Sequence, residues 1–181
     1  MRVLGIDPST KMGLIVLQRK NDEIITIYKD VYSSKHKGMQ RLGDIGGCVI
    51  DVLKSYKPDM VSLEGYSFGS KFNHEITYSI GTVIRYFLWQ SGYDYQILPP
   101  STLKKFVTGK GNSKKDLMLL GVYKNWGFDT TDDNLSDAYG IALCTLFQNC
   151  GIADEKGGWK KGDAKHLTFD HSNGKANLKI V

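Results

Sequence analysis

The sequence MRVLGIDPS, residues 1–9, joins a short apolar run to a carboxylate and a proline. The apolar run predicts a buried strand, which Pro8 ends because proline has no N–H to donate to a neighbouring strand. A carboxylate at the tip of a buried strand is costly unless a group beyond the sheet uses its charge. Asp7 therefore either caps a turn, a common role for Asp ahead of Pro and Ser, or belongs to a functional site.

Composition restricts the class of protein. With 181 residues, of which 41% are hydrophobic and 24% charged, the chain fits one globular domain. No apolar run approaches the roughly 18 residues of a membrane-spanning helix, and Asp7 comes too early for a signal peptide, so we expect no membrane partner and a cytoplasmic location. Three cysteines without CxxC spacing argue against a disulfide framework and a zinc site. A net charge of +5 permits nucleic acid as a partner without establishing it.

Beyond residue 9 the hydrophobic pattern predicts strands and helices in alternation. Closely spaced apolar runs at residues 13–17 and 23–32 predict an antiparallel meander with the first strand. Apolar residues at three- and four-residue steps predict helices at residues 39–56, 73–90, 113–126 and 134–149, and short runs predict strands at 60–63 and 93–98. We expect an α/β fold whose mixed five-stranded sheet, a three-strand antiparallel meander plus two parallel strands, is flanked by helices.

Two details of this pattern carry further expectations. Ser113 followed by Asp116 predicts a capping box at the start of the third helix. Gly43, Gly46 and Gly47 weaken the first helix and permit close packing, either against the sheet or against a partner.

Acidic residues recur at the end of a strand and at the start of the last helix. The strand after the first helix ends on Glu64, and a helical crossover normally makes such a strand parallel to the first, which brings Glu64 and Asp7 to the same edge. Asp133 and Asp137 are four residues apart and share one helical face. The helix macrodipole alone accounts for Asp132 and Asp133, but not for Asp137, which lies one turn inside the helix.

Carboxylates gathered in one place repel each other, and their pKa values rise unless a cation lies among them. A site of oxygen ligands favours Mg²⁺ or Mn²⁺, typically shared with substrate phosphates. Two such ions about 4 Å apart activate water and stabilise the leaving oxygen in a displacement at phosphorus. The segment 101–115 concentrates lysines that favour a nucleic-acid phosphodiester as the substrate: Lys104, Lys105, Lys110, Lys114 and Lys115.

At three places the sequence resembles the acidic motifs of RuvC-type Holliday junction resolvases, which belong to the ribonuclease H-like superfamily. The motifs are GIDPS at residues 5–9, LE at 63–64 and SDAYGIAL at 136–143. The segment LKKFVTGKGNSKK at 103–115 is similar to the lysine-bearing segment of that family. The resemblance covers about residues 1–150 and implies a ribonuclease H-like nuclease domain over that range.

The resemblance also implies roles for individual residues. Asp7, Glu64 and Asp137 match metal ligands of the family, and Lys115 matches an active-site lysine near the scissile phosphate. Lys104 matches the second functional lysine of the basic segment. Lys105, Lys110 and Lys114, which lie in the same segment, are expected to contact DNA.

Two regions near these motifs, residues 133–134 and the loop after Glu64, have open interpretations. Family members commonly carry an acid or a histidine three residues before the last Asp, where this chain has Asn134. We expect the neighbouring Asp133 to take that catalytic and metal-binding role, with Asn134 beside it as the alternative ligand.

Tyr66 and Phe68 lie in the loop where the family places an aromatic that wedges into the junction, and stacking on unpaired bases makes this chemically reasonable. The alternative is that both aromatics belong to the core or its rim.

Residues 151–181 form an extension without a counterpart in the family. Apolar runs on either side of the SNG sequence at 172–174 predict a β-hairpin with an Asn-Gly turn. The extension is expected to pack on the domain, contact DNA or mediate dimerisation.

The principal hypothesis is an endonuclease dependent on Mg²⁺ or Mn²⁺, with two ions per site, that resolves Holliday junctions or other branched DNA by paired nicks. The resemblance implies a homodimer with two sites on opposing strands, in the cytoplasm of a bacterium or a phage-infected cell. One alternative is a ribonuclease H acting on RNA–DNA hybrids, and another is an inactive junction-binding dimer, suggested by Asn134. An actin-like ATP-binding domain also opens with Gly-Ile-Asp, but this chain is too short for both lobes.

Overall fold

A mixed sheet forms the centre of the protein. The structure, a computed structural model, describes residues 1–66 and 74–172. Its six strands follow the order β5-β4-β1-β2-β3-β6. The strands are β1 (Arg2–Asp7), β2 (Met12–Lys20), β3 (Glu23–Tyr32), β4 (Met60–Glu64), β5 (Tyr95–Leu98) and β6 (Thr168–Asp170). The predicted meander of β1–β3 is confirmed, as is the parallel pairing of β4 with β1 and of β5 with β4.

Helices cover both faces of the sheet. They are α1 (Gly38–Tyr56), α2 (His74–Gln90), α3 (Pro100–Thr108), α4 (Lys115–Trp126) and α5 (Asp133–Asn149), with a short 3₁₀ turn at Lys161–Ala164. Successive strand residues point to opposite faces, so Leu4 and Ile6 pack under α1 and α2 while Val3 packs under α3–α5. No helix in residues 1–66 or 74–172 is both long enough and apolar enough to cross a membrane.

The sixth strand comes from the extension. The expected five strands are all present, and β6 adds to them by pairing in parallel with β3. Ala164 and Leu167 are buried in the main core. His171 fixes the end of this segment. Its Nε2 donates to the Trp126 carbonyl and its Nδ1 accepts from the Thr26 hydroxyl, both at 3.0 Å. The extension up to Ser172 is therefore packed on the domain, and the second half of the predicted hairpin lies outside the described residues.

The basic segment differs from its sequence-based prediction. Residues 100–108 form α3, which begins at Pro100, a position where proline costs no helical hydrogen bond. The capping box predicted at Ser113 is wrong, because Lys114 occupies the N-cap of α4 without a side-chain cap bond. The Ser113 hydroxyl instead bonds the Thr108 hydroxyl at 2.6 Å and donates to the Lys110 carbonyl at 2.9 Å. This hydroxyl pair ties α3 to α4.

One glycine of α1 has a packing role. A Cβ on Gly46 would stand 2.0 Å from Cε2 of Phe87, whereas a Cβ on Gly43 or Gly47 would meet nothing within 4 Å. The close packing at Gly46 is therefore against α2, rather than against the sheet or a partner as expected from the sequence.

Candidate active site

The ends of two parallel strands bring two carboxylates together. Ile6 of β1 lies opposite Leu63 of β4, so Asp7 and Glu64 leave the sheet side by side at one edge, as predicted. Asp7 is only 8% exposed. No hydrogen bond or ion pair engages its carboxylate within the described residues, and the turn after it is held by the Ser9 hydroxyl, which accepts from the Lys11 N–H at 3.2 Å. The turn-cap interpretation of Asp7 is therefore not supported.

Helix α5 adds a third carboxylate by packing directly on the sheet. A Cβ on Gly5 would stand 2.3 Å from the carbonyl oxygen of Ala138, and one on Gly13 would stand 2.1 Å from that of Asn134. Only glycine at these two positions allows the helix backbone to lie so close to β1 and β2. Asp137, one residue before Ala138, is thereby placed beside Asp7, whose pKa it raises.

The pKa values of the three acids show how strongly they interact. Burial raises the pKa of Asp7 well above its ordinary value, and the charges of Glu64 and Asp137 raise it further. Burial and the charge of Asp137 raise the pKa of Glu64 to about 7. Burial raises the pKa of Asp137 to about 6, partly opposed by the charge of Lys115. The three carboxylates therefore form one electrostatically coupled group.

Asp133 lies in a different electrical environment from these three. Its Oδ2 accepts a hydrogen bond and an ion pair from the ammonium of Lys115, and this contact holds the pKa of Asp133 below its ordinary value. The same contact raises the pKa of Lys115. Lys115 is 74% exposed and also lowers the pKa values of Asp7, Glu64 and Asp137. It is therefore the cation that connects Asp133 to the buried carboxylates.

Asn134 is held by Ser9, Asp132 and Asp133, and its Nδ2 donates to Oδ1 of Asp133 at 3.4 Å. Its Oδ1 accepts a hydrogen bond from the Ser9 hydroxyl at 3.3 Å, and its Nδ2 donates to Oδ1 of Asp132 at 3.0 Å. The Asp132 side chain caps α5 by accepting from the backbone N–H groups of Asn134 and Leu135. The macrodipole interpretation thus suits Asp132, and the choice between Asp133 and Asn134 as a metal ligand stays a prediction.

The donor set fits a hard divalent cation. Asp7, Glu64 and Asp137 offer only oxygens, and a cation would relieve the repulsion and burial that raise their pKa values. Among residues 1–66 and 74–172, no three His, Cys, Asp or Glu side chains lie close enough to form a ready metal cage. Mg²⁺ commonly keeps several waters and is bound through one or two carboxylates plus substrate phosphates, so it does not need such a cage.

The lysines of the basic segment divide between two places. Lys104 lies close enough to lower the pKa values of Glu64 and Asp137. Lys105 and Lys110 line a separate cavity beside α3, and Lys114 is exposed at the start of α4. The structure thus places Lys104 and Lys115 at the carboxylates, and the other three lysines of the segment outside them.

The structure describes one of the two loop aromatics, Tyr66. Tyr66 packs against α2: its hydroxyl donates to the Tyr78 carbonyl at 3.0 Å, and the Arg85 guanidinium lies over its ring at 4.7 Å. Phe68 lies outside the described residues. The junction-wedging role of both aromatics stays a prediction.

Sequence reasoning missed two residues that shape the site. Ser9, which contacts Asn134, lies within the GIDPS motif, and this position was the available signal. Arg85, which holds Tyr66, follows it by 19 residues on another element, and nothing in the sequence marks the pair.

A sheet of this order, with acids at the ends of β1 and β4 and on a helix packed across β1, defines the ribonuclease H-like class of nuclease folds. The family model described as crossover junction endodeoxyribonuclease RuvC matches residues 3–145. The chain belongs to this RuvC family.

Individual relatives agree with this assignment. The chain is 29% identical over 158 residues to the crossover junction endodeoxyribonuclease RuvC of Brachyspira hyodysenteriae, covering 82% of this chain and 96% of that protein. The structure of Thermus thermophilus RuvC matches with a TM-score of 0.69 at 22% identity, over 83% of this chain and 97% of that one. Thermus thermophilus RuvC in complex with a Holliday junction substrate matches with a TM-score of 0.68 at 25% identity, over 83% and 96%. These matches confirm the predicted fold class.

Proposed function

We propose that this chain is a metal-dependent endonuclease that resolves Holliday junctions or other branched DNA by paired nicks. The observation that carries the proposal is the convergence of Asp7, Glu64 and Asp137, whose carboxylates no hydrogen bond or ion pair neutralises within the described residues. Lys104 and Lys115 lie beside them. Membership of the RuvC family, and the complex of the Thermus relative with a Holliday junction substrate, support the choice of DNA substrate.

The proposed cofactor is Mg²⁺ or Mn²⁺, with two ions per site held by Asp7, Glu64 and Asp137. When bound, such ions would supply an activated water and charge stabilisation for the leaving oxygen. Asp133 completes the ligand set in this proposal, and Asn134 is the alternative. The near-complete burial of Asp7 supports a bound cation, because a buried carboxylate charge is costly without a counter-ion.

The lysines would position the DNA backbone against the carboxylates. The Lys115 ammonium is exposed and bound to Asp133, which supports a role in contacting the scissile phosphate. Lys104, on α3, adds a second positive charge near Glu64. Both would hold phosphate oxygens without reading base sequence. Selectivity for branched DNA would then come from the shape of the junction.

Paired nicks require two active sites, and we propose that a homodimer provides them. Two sites related by a two-fold axis would meet opposing strands of a four-way junction. Helix α2 exposes Tyr86 and Trp89, which are 52% and 71% accessible and lie 6.0 Å apart between ring centroids. We propose this aromatic pair as part of the dimer contact, since large exposed apolar side chains commonly mark interfaces. We propose the cytoplasm of a bacterial or phage-infected cell as the location, because the RuvC relatives named above are bacterial proteins.

The chain is proposed to consist of a nuclease domain at residues 1–150 and an extension at 151–181. The end of the family match at residue 145 supports this division. Residues up to Ser172 nevertheless pack on the nuclease core, so the extension does not behave as a separate folding unit in this part.

The test is cleavage of three labelled substrates, a four-way junction, an RNA–DNA hybrid and a plain duplex, with and without Mg²⁺. We expect cleavage of the junction only, dependent on the metal, with paired nicks leaving 5′-phosphate and 3′-hydroxyl ends. Preferential cleavage of the hybrid would support the ribonuclease H alternative instead. Tight junction binding without turnover in either Mg²⁺ or Mn²⁺ would support an inactive junction-binding protein.

A further inference from the structure

A cavity of about 610 Å³ lies beside α3, and none of the proposed metal ligands, nor Lys104 or Lys115, lines it. Its walls are the second half of α3, the exposed side of α4 and residues 157–159 of the extension. One wall therefore lies beyond residue 145, where the family match ends.

The extension wall is tightly fixed to α3. A Cβ on Gly157, whose φ is +72°, would stand 2.4 Å from the Thr102 carbonyl oxygen, so the loop backbone touches the helix. Trp159 Nε1 donates to the Phe106 carbonyl at 2.7 Å, and its ring stacks on Trp126 with centroids 5.4 Å apart. The Asp154 carboxylate closes the loop by accepting from the Gly158 N–H at 2.7 Å. The cavity is thus a built feature of the fold.

The charge of the lining favours a polyanion. Lys105, Lys110 and Lys124 line the cavity, and none of the described lining residues is acidic. Two apolar side chains of α4, Leu117 and Leu120, share the lining and are 48% and 43% exposed. Lysines that can neutralise phosphates, next to apolar groups that can contact sugar faces, match the chemistry of a DNA backbone.

Helices α3 and α4 carry residues of both the cavity and the proposed active site. Lys104, which influences Glu64, and Lys105, which lines the cavity, are neighbours on α3. Likewise, Lys115 at the carboxylates and Leu117 in the cavity lie within the first turn of α4. Helix α3 has nine residues and is about 13 Å long, so a strand leaving the carboxylates would reach the cavity within a few nucleotides.

We propose that this cavity binds the sugar–phosphate backbone of one arm of the DNA substrate, beyond the cleaved bond. Lys124 contacts a phosphate there, and the loop at residues 157–159 sets the width of the groove. This contact anchors the arm and does not take part in the cleavage chemistry. The proposal rests on the proposed function, because it needs branched DNA at the neighbouring carboxylates.

The test is a double-mutant cycle between Lys124 and single phosphates of the arm. Four-way junctions with one neutral methylphosphonate at each position within about ten nucleotides of the cleaved bond are titrated with the full chain in EDTA. For the unmodified junction, Lys124→Gln is expected to raise Kd about 3- to 10-fold and to lower the salt slope of log K by about 1. Lys54→Gln is the matched control, since Lys54 is an exposed lysine of α1 on the opposite side of the sheet.

One methylphosphonate position is expected to weaken binding of the unchanged chain and of the Lys54→Gln variant, but not of the Lys124→Gln variant. Such loss of sensitivity is the sign of a direct contact. If no position shows this coupling, or if Lys124→Gln binds like Lys54→Gln, the cavity does not bind the arm and an acidic peptide becomes the better candidate. If the unchanged protein still binds and cleaves the junction, the proposed function stands and only the cavity proposal fails. If the unchanged protein binds no junction, both proposals fail.

Discussion

The backbone of Gly5 in β1 packs directly on the backbone of Ala138 in α5. A Cβ on Gly5 would stand 2.3 Å from the Ala138 carbonyl oxygen and 2.7 Å from the Ala142 nitrogen. Because Asp7 follows Gly5 by two residues and Asp137 precedes Ala138 by one, this contact sets the separation of two proposed metal ligands.

Gly5→Ala is expected to destabilise the fold and to reduce cleavage together. The added methyl group meets backbone atoms that cannot rotate away, so α5 must shift, at a cost of about 1–3 kcal/mol. Urea unfolding and junction cleavage measure the two effects. Gly43→Ala is the matched control, because a Cβ there meets nothing within 4 Å and should stabilise α1 by about 0.5–1 kcal/mol. A Gly5→Ala variant as stable as the unchanged chain would contradict this packing.

Asp7→Asn is expected to abolish cleavage and to preserve junction binding. The amide removes a negative charge from the proposed metal site while keeping the shape of the side chain, and losing several kcal/mol of transition-state stabilisation lowers the rate roughly 10³-fold or more. Single-turnover cleavage and fluorescence anisotropy measure the two properties. Unchanged nicking by Asp7→Asn would rule out the metal mechanism.

The stability of the metal-free protein is expected to fall as the pH rises. Glu64, with a pKa of about 7, and Asp137, with a pKa of about 6, bind protons more tightly in the folded chain than at their ordinary values of 4.5 and 3.8. The free energy of unfolding therefore decreases between about pH 4 and pH 7, by roughly 1–3 kcal/mol. Burial lowers the pKa of His171, which gives the opposite trend, so the carboxylate effect is measured as a difference.

Thermal unfolding in EDTA from pH 4 to pH 8 provides that measurement. Asp137→Asn should lose less stability over this range than the unchanged chain, because one titrating carboxyl is gone. Adding Mg²⁺ at pH 8 should raise the melting temperature of the unchanged chain by binding the folded state. Parallel pH curves for the two chains would contradict the interaction among the acids.

Asp133→Asn is expected to raise the Mg²⁺ concentration for half-maximal cleavage more than Asn134→Ala does. Asp133 offers a charged carboxylate that is 39% exposed, whereas Asn134 is neutral and both of its amide atoms are engaged, by Ser9, Asp132 and Asp133. Removing a residue that binds a metal or orients a metal ligand typically lowers metal affinity about 10- to 100-fold, and we expect a loss of about this size for Asp133→Asn. The reverse order of the two variants would make Asn134 the ligand.

Trp89→Glu is expected to convert a dimer into monomers. Its indole is 71% exposed on α2, and a charge in the centre of an apolar contact opposes association. Light scattering after size exclusion measures the mass. Leu120→Glu, a similar change at an exposed site of α4, is the control and should remain a dimer. Equal masses for Trp89→Glu and the unchanged chain would place the interface elsewhere.

The sequence allowed prediction of the sheet and of the acids because both depend on local signals. Apolar runs ending in Asp7 and Glu64 indicate buried strands, and the helical crossover makes them parallel, which is enough to place both acids at one edge. The spacing of Asp133 and Asp137 likewise indicates a shared helical face. These signals are independent of contacts between distant segments.

Other features depended on contacts between different elements, and for these the sequence-based prediction was incomplete or wrong. Strand β6 (Thr168–Asp170) overlaps the first apolar run of the predicted hairpin, but its pairing with β3 was not predicted. The hydroxyl of Ser113 binds Thr108 rather than capping α4, and the packing partner of Gly46 is Phe87. In each case a partner from another element decides the outcome, and single-sequence patterns do not reveal it.

The pairing of β6 with β3 also affects how the protein behaves in a crowded solution. Among the described residues, β6 pairs with Glu23, Ile24 and Ile25 of β3, and further along β3 lie the charged residues Lys29 and Asp30. Bare strand edges recruit other chains, and charges at an edge discourage this. The extension thus shields the apolar start of the border strand, and a chain shortened before Thr168 would lose this protection against self-association.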